Sequence, residues 1–123
     1  MKKSSLKSLL LLLTFLILAC SKDCKIENEQ KALILLYDDS SCVSCKNSAK
    51  EFVFSELKNK DLPYLLIVKN SFSLKKNSIE FNSYPPISIS TFEENNSCLG
   101  DLSGILLVYK SENTIKVIKD FNK

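Results

Sequence analysis

The chain has 123 residues, enough for one domain, and its 45% hydrophobic and 25% charged residues are ordinary for a folded protein. It has no histidine, tryptophan or arginine, which excludes Ser-His and Cys-His nucleophile pairs and any His-ligated metal site. Three of its seventeen lysines, Lys2, Lys3 and Lys7, account for the net charge of +3, and the remaining fourteen match the fourteen acids, so no basic nucleic-acid surface is expected.

The chain opens with a short positive segment, Met1 to Lys7, followed by the apolar run Leu9 to Leu18, then Ala19 and Cys20. That order is expected of a secretory signal peptide, and the run is short for a membrane span. The ending Ile17-Leu18-Ala19-Cys20 resembles the lipobox of bacterial lipoproteins. The resemblance implies cleavage after Ala19, diacylglycerol on the Cys20 thiol and an acylated amino group. Residues 1–19 are then the leader, and residues 20–31 form a polar tether hung from a membrane by Cys20, because two or three acyl chains anchor stably. Cys24 lies in that tether, as a spare thiol or the partner of another cysteine. Residues 32–123 form the domain.

Leu33 to Tyr37 is a continuous apolar run, the pattern of a strand buried on both faces. Asp38 to Ser41 is turn-rich, and Ser41 or Cys42 can cap the helix that follows. The spacing predicts that helix over Asn47 to Leu57, with Ala49, Phe52, Val53, Glu56 and Leu57 on one largely apolar face. Lys58-Asn59-Lys60 suits its end. After Pro63, Tyr64 to Val68 is a second continuous apolar strand, so strand, helix and strand make a parallel βαβ unit. Leu74 to Phe81 carries a weak helical pattern. Pro85-Pro86 ends it. Ile87 to Phe92 alternates as an edge strand or extended loop. Glu93 to Gly104 is polar, turn-rich and holds Cys98. Ile105 to Tyr109 is a third buried strand. After a turn at Ser111-Glu112-Asn113, Thr114 to Phe121 alternates, with Ile115, Val117 and Lys119 on one face and Ile118 on the other. These last two strands are expected to form an antiparallel hairpin. The pattern shows no repeat and no second domain.

The chemistry-bearing stretch is Cys42-Val43-Ser44-Cys45, where a strand hands over to a helix. Thiols at i and i+3 on a first helical turn can close a small disulfide. The helix start favours the thiolate of the first. Asp38 and Asp39 oppose it. The same pair can be a redox centre, a staple in an oxidising compartment, or, together with Cys24 and Cys98, a set of thiolates for zinc or copper. Cys98 is a loop thiol, a disulfide partner, or a second resolving cysteine if its loop folds over Cys42.

From Ala32 to Phe121 the order of elements, with C-x-x-C opening the first helix and a late hairpin, resembles the thioredoxin fold. Among such proteins it is similar to membrane-tethered thioredoxin-like lipoproteins and TlpA-like thiol-disulfide oxidoreductases. The resemblance implies an α/β domain in which Cys42 attacks and Cys45 resolves, followed by the lysine usual there, Lys46. It implies a monomer without cofactor in the bacterial cell envelope. Its partners would be the thiols or disulfides of envelope proteins and, through Cys20, the lipid membrane. The departures are specific. Ser41 replaces the usual aromatic, Val43-Ser44 the usual dipeptide, and Leu36 the buried acid. Ser103 stands where a cis-proline shapes the substrate edge, and the chain ends at Lys123 where the family has another helix. A redox-inert binding or structural lipoprotein is the alternative, with thiolate metal binding after it.

Overall fold

The structure is a computed structural model that describes residue 24 and residues 31–112 and 114–122. The expected leader, Cys20 and most of the tether lie outside the described residues. The rest is a mixed α/β domain built on one five-stranded sheet. Strand β1 (Lys31–Tyr37) is followed by α1 (Val43–Phe52), which continues through a π-helical turn (Val53–Leu57) and a last α-turn (Lys58–Lys60). Then come β2 (Leu65–Val68), α2 (Ser71–Glu80), β3 (Ser88–Thr91), a 3-10 turn (Glu93–Asn95) running into the short α3 (Asn96–Leu99), and the strands β4 (Leu106–Ser111) and β5 (Thr114–Asp120).

The strand order is β3-β2-β1-β4-β5. β1 and β2 are parallel neighbours with Leu35 beside Leu66, and β3 extends the parallel set as an edge strand beside β2. β4 runs antiparallel to β1, and β5 antiparallel to β4. The continuous apolar runs explain the centre of this order: β1, β2 and β4 have cores on both sides, so both pleat faces must be apolar.

One face of the sheet, with Leu35, Tyr37, Leu66, Val68 and Leu107, packs on Ala49, Val53 and Leu57 of the first helix and on Phe81. The other face, with Ile34, Leu36, Leu65, Ile67, Leu106 and Val108, packs on Leu99 and Cys24. Phe81 is fully buried and meets Tyr37 edge-on, ring centroids 5.3 Å apart. Burying a side chain of that size stabilises the fold by about 1.5–3 kcal/mol.

The first helix begins four residues earlier than its periodicity predicts. Cys42, not an apolar residue, sets its start: its sulfur accepts the Cys45 N–H, and its carbonyl accepts the Lys46 N–H. The π turn has a packing reason. Cys45, Ala49, Val53 and Leu57 recur at strict intervals of four and all meet the first core. An α-helix advances by 100° per residue, so that spacing drifts by about 40° each step. A wider turn absorbs the drift. The helix stops at Asp61 in the left-handed conformation, φ 52°, which Asp tolerates better than most residues.

Four expectations need adjustment. The weak pattern at Leu74 to Phe81 is a helix, but it runs from Ser71, because the Asn70 side chain caps it by accepting the Ser73 N–H at 3.1 Å. Glu93 to Gly104 is not all turn, since it contains α3. Lys119 does not share a face with Val117. The register shifts between Leu107 and Val108, whose partners are Lys119 and Val117. Ile118 is thus the extra residue of a bulge, and Lys119 crosses to the helix side, over the Phe52 ring. Finally, β1 starts at Lys31, and Cys24, assigned to the tether, is fixed to the domain by a disulfide to Cys98.

Candidate functional site

The C-terminal ends of the parallel strands mark one pole of the domain, and the loop 38–41 leaves β1 there. It turns tightly, with the Ser41 N–H donating to the Asp38 carbonyl at 3.1 Å, and delivers Cys42 to the helix start. Cys42 is exposed and Cys45 half-buried against the first core. The two sulfurs are bonded to each other. The Cys45 N–H reaches the Cys42 sulfur at 3.1 Å, and Ser44 Oγ lies 3.4 Å from it. Both groups favour negative charge on that sulfur once the bond is reduced.

The two carboxylates before the pair are held by the β2–α2 junction. Asp38 accepts the Ser40 N–H at 2.9 Å and the Ser40 hydroxyl at 2.6 Å, and pairs with Lys69 at 3.9 Å. Lys69 also donates to Ser40 Oγ at 3.1 Å. Asp39 accepts the hydroxyl of Ser73 at 2.9 Å, and Ser73 is buried in the first turn of α2. Their charges are therefore answered by a cation and a donor on a neighbouring element, which weakens the opposition to a thiolate expected from the sequence. Lys69 and Ser73 were not legible as site residues, because both contacts are long-range.

Ser103 is exposed in the segment entering β4. Its neighbour Gly104 accepts the Asp38 N–H at 3.3 Å, so this segment borders the loop that carries the thiols. Gly104 has φ +85°, and a Cβ there would lie 2.6 Å from Asn122 Nδ2. Asn122 in turn brackets Ile105, accepting its N–H at 3.3 Å and donating to its carbonyl at 3.2 Å. Leu36, the position of the family's buried acid, faces the second core, on the side of the sheet away from the thiol helix. Tyr37 faces the helix side instead. Its hydroxyl is buried and finds no hydrogen-bond partner among the described residues. Burial, then the charges of Glu80 and Asp39, push its ionisation far above the ordinary range, so it stays a neutral group near neutral pH.

The four cysteines considered for a metal do not converge. Cys42 and Cys45 pair on the helix side, whereas Cys24 and Cys98 pair and pack against the opposite face. Among the described residues no group of three or more Cys, Asp or Glu is placed to hold a metal ion. The same separation removes Cys98 as a second resolving thiol. Cys20 lies outside the described residues. Among them no helix is long and apolar enough to cross a membrane. An apolar cavity of about 340 Å³, lined by Ala32, Leu33, Leu62, Pro63, Tyr64 and Leu65, lies at the other pole, where β1 begins.

No protein-family model, curated protein or solved structure matches the chain.

Proposed function

We propose that this chain is a lipid-anchored, thioredoxin-like dithiol–disulfide exchange protein of the bacterial cell envelope. The observation that carries the reading is the asymmetry of the pair: an exposed Cys42 sulfur at a helix start, bonded to a half-buried Cys45 one turn in. The parallel β1-α1-β2 unit and the antiparallel β4–β5 hairpin support the fold comparison. The leader pattern ending at Cys20 supports export and acylation.

In the reduced protein Cys42 is the nucleophile. Its thiolate attacks one sulfur of a partner's disulfide, forming a Cys42–partner bond and releasing the partner's other sulfur as a thiolate. Cys45, deprotonated, then attacks the Cys42 sulfur. The mixed disulfide breaks, and the partner leaves as a dithiol after taking up two protons. The partner has gained two electrons, and Cys42–Cys45 is oxidised. A second dithiol run through the same steps in reverse restores the reduced pair, and that reversal describes oxidation of a substrate. The Ser103–Gly104 segment is the edge along which a partner would lie.

The test is a trap. Cys45→Ser leaves Cys42 free to attack and removes the resolving thiol. Expressed in the envelope, this variant is expected to accumulate mixed disulfides that disappear on reduction and are lost in Cys42→Ser. In purified reduced protein, alkylation should occur first at Cys42. No trapped species and no exchange with small dithiols would favour an inert binding or structural domain.

A further inference from the structure

The second disulfide has no place in that exchange. Cys24 is 8% exposed and packs with Ile34, Leu36 and Leu99 on the sheet face opposite the thiol helix. Its sulfur is bonded to Cys98, 74 residues later, and lies 3.7 Å from Asn95 Oδ1. Cys20 precedes Cys24 by four residues and Lys31 by eleven. Fully extended, four residues reach at most about 14 Å and eleven about 40 Å.

We propose that the face closed by Cys24–Cys98 is the membrane-proximal surface of the domain, a reading that rests on acylation of Cys20. Four residues keep the acylated residue within about 14 Å of Cys24, and the bond to Cys98 fixes Cys24 to the domain. The elements on that face, the 3-10 turn and α3, then lie toward the lipid headgroups. The shortest covalent path from anchor to domain then runs through Cys98 and not along residues 25–30. The first helix lies on the other face, so Cys42 is presented to the aqueous side, where protein partners are. Glu93 and Glu94 lie in the 3-10 turn and Asp101 follows α3, so the contact is by tethering close to the headgroups and not by insertion.

The experiment uses the acylated protein on vesicles of phosphatidylethanolamine and phosphatidylglycerol. A fluorescent residue replaces Asn96 in α3 or Ser48 in the first helix, both exposed, with an acceptor on the lipid headgroups. Energy transfer is expected to be stronger from position 96. The two helices lie on opposite sides of the sheet, about two layer spacings of 10 Å apart. In Cys98→Ser the difference should shrink. A second readout does not depend on that variant folding. A site for a sequence-specific protease, inserted between Glu27 and Asn28, should on cleavage leave the domain on the vesicles until a reductant opens Cys24–Cys98. The same site inserted between Lys22 and Asp23 should release it at once. Equal transfer from the two positions, or release at the first site without reductant, overturns the proposal. Failure of the intact protein to bind vesicles instead removes the anchor reading on which it rests.

Discussion

Replacing Cys98 by alanine should destabilise the domain far more than replacing Cys45, although each removes one disulfide. The two bonds differ chiefly in the loop they close. Cys24–Cys98 spans 74 residues and Cys42–Cys45 spans three. In the chain-entropy treatment the long loop restrains the unfolded state by about 4.5 kcal/mol and the short one by about 1.6 kcal/mol. The structure adds to the first figure, because Cys24 packs in the second core and the freed segment loses that burial. The expected gap of roughly 3 kcal/mol corresponds to at least about 12 °C in melting temperature for a domain of this size. Thermal and urea unfolding should be followed on the mature chain carrying Cys20→Ser, with Cys98→Ala, Cys45→Ala and both together. The two effects should add, since the bonds lie on opposite faces and share no partner. Equal destabilisation by the two single variants would refute the reasoning. So would a Cys98→Ala protein melting within about 2 °C of its parent.

Three further outcomes follow from the site. Lys69→Gln removes the cation paired with Asp38. It should slow alkylation of reduced Cys42 near neutral pH by roughly two- to fourfold, the effect of a screened surface charge on a thiol pKa. Asp38→Asn in the same protein should restore the rate, which a purely structural defect would not. Tyr37→Phe removes a buried hydroxyl with no hydrogen-bond partner among the described residues and should leave stability unchanged or raise it by about 1 kcal/mol, measured by urea unfolding. The same tyrosine makes stability fall with rising pH. Its folded ionisation is raised, so its contribution is complete below the ordinary tyrosine value of about 10 and is lost as pH climbs above it. Alkaline melting curves of Tyr37→Phe should therefore show less destabilisation than those of the parent.

The strands that make the centre of the sheet were legible because their burial is two-sided. Leu33 to Tyr37, Tyr64 to Val68 and Ile105 to Tyr109 are apolar at every position, and no turn or surface segment sustains that. The pairing of Cys42 with Cys45 also followed from local geometry, as thiols three apart on a first helical turn are neighbours. The helical state of Ser71 to Glu80 was weakly marked, because its buried side includes Ser73 and Asn77. The Asn77 amide donates to the Ser73 carbonyl within the helix, but the Ser73 hydroxyl reaches Asp39, a partner that exists only in the folded chain.

What the tertiary structure alone decided is the meeting of residues that no short connection joins. The pairing of Cys24 with Cys98 rather than with the C-x-x-C thiols depends on α3 lying across the second face of the sheet. The bulge at Ile118 depends on the register that β5 takes against β4. The answer to the Asp38 and Asp39 charges depends on where β2 ends and the capped start of α2 begins. Periodicity reports which faces of a segment are apolar, and so determines elements and the local disposition of neighbours. With short connections it also indicates the parallel β1–β2 unit and the β4–β5 hairpin, but which remoter segments meet is chosen by packing the whole core at once and by satisfying buried polar groups across it.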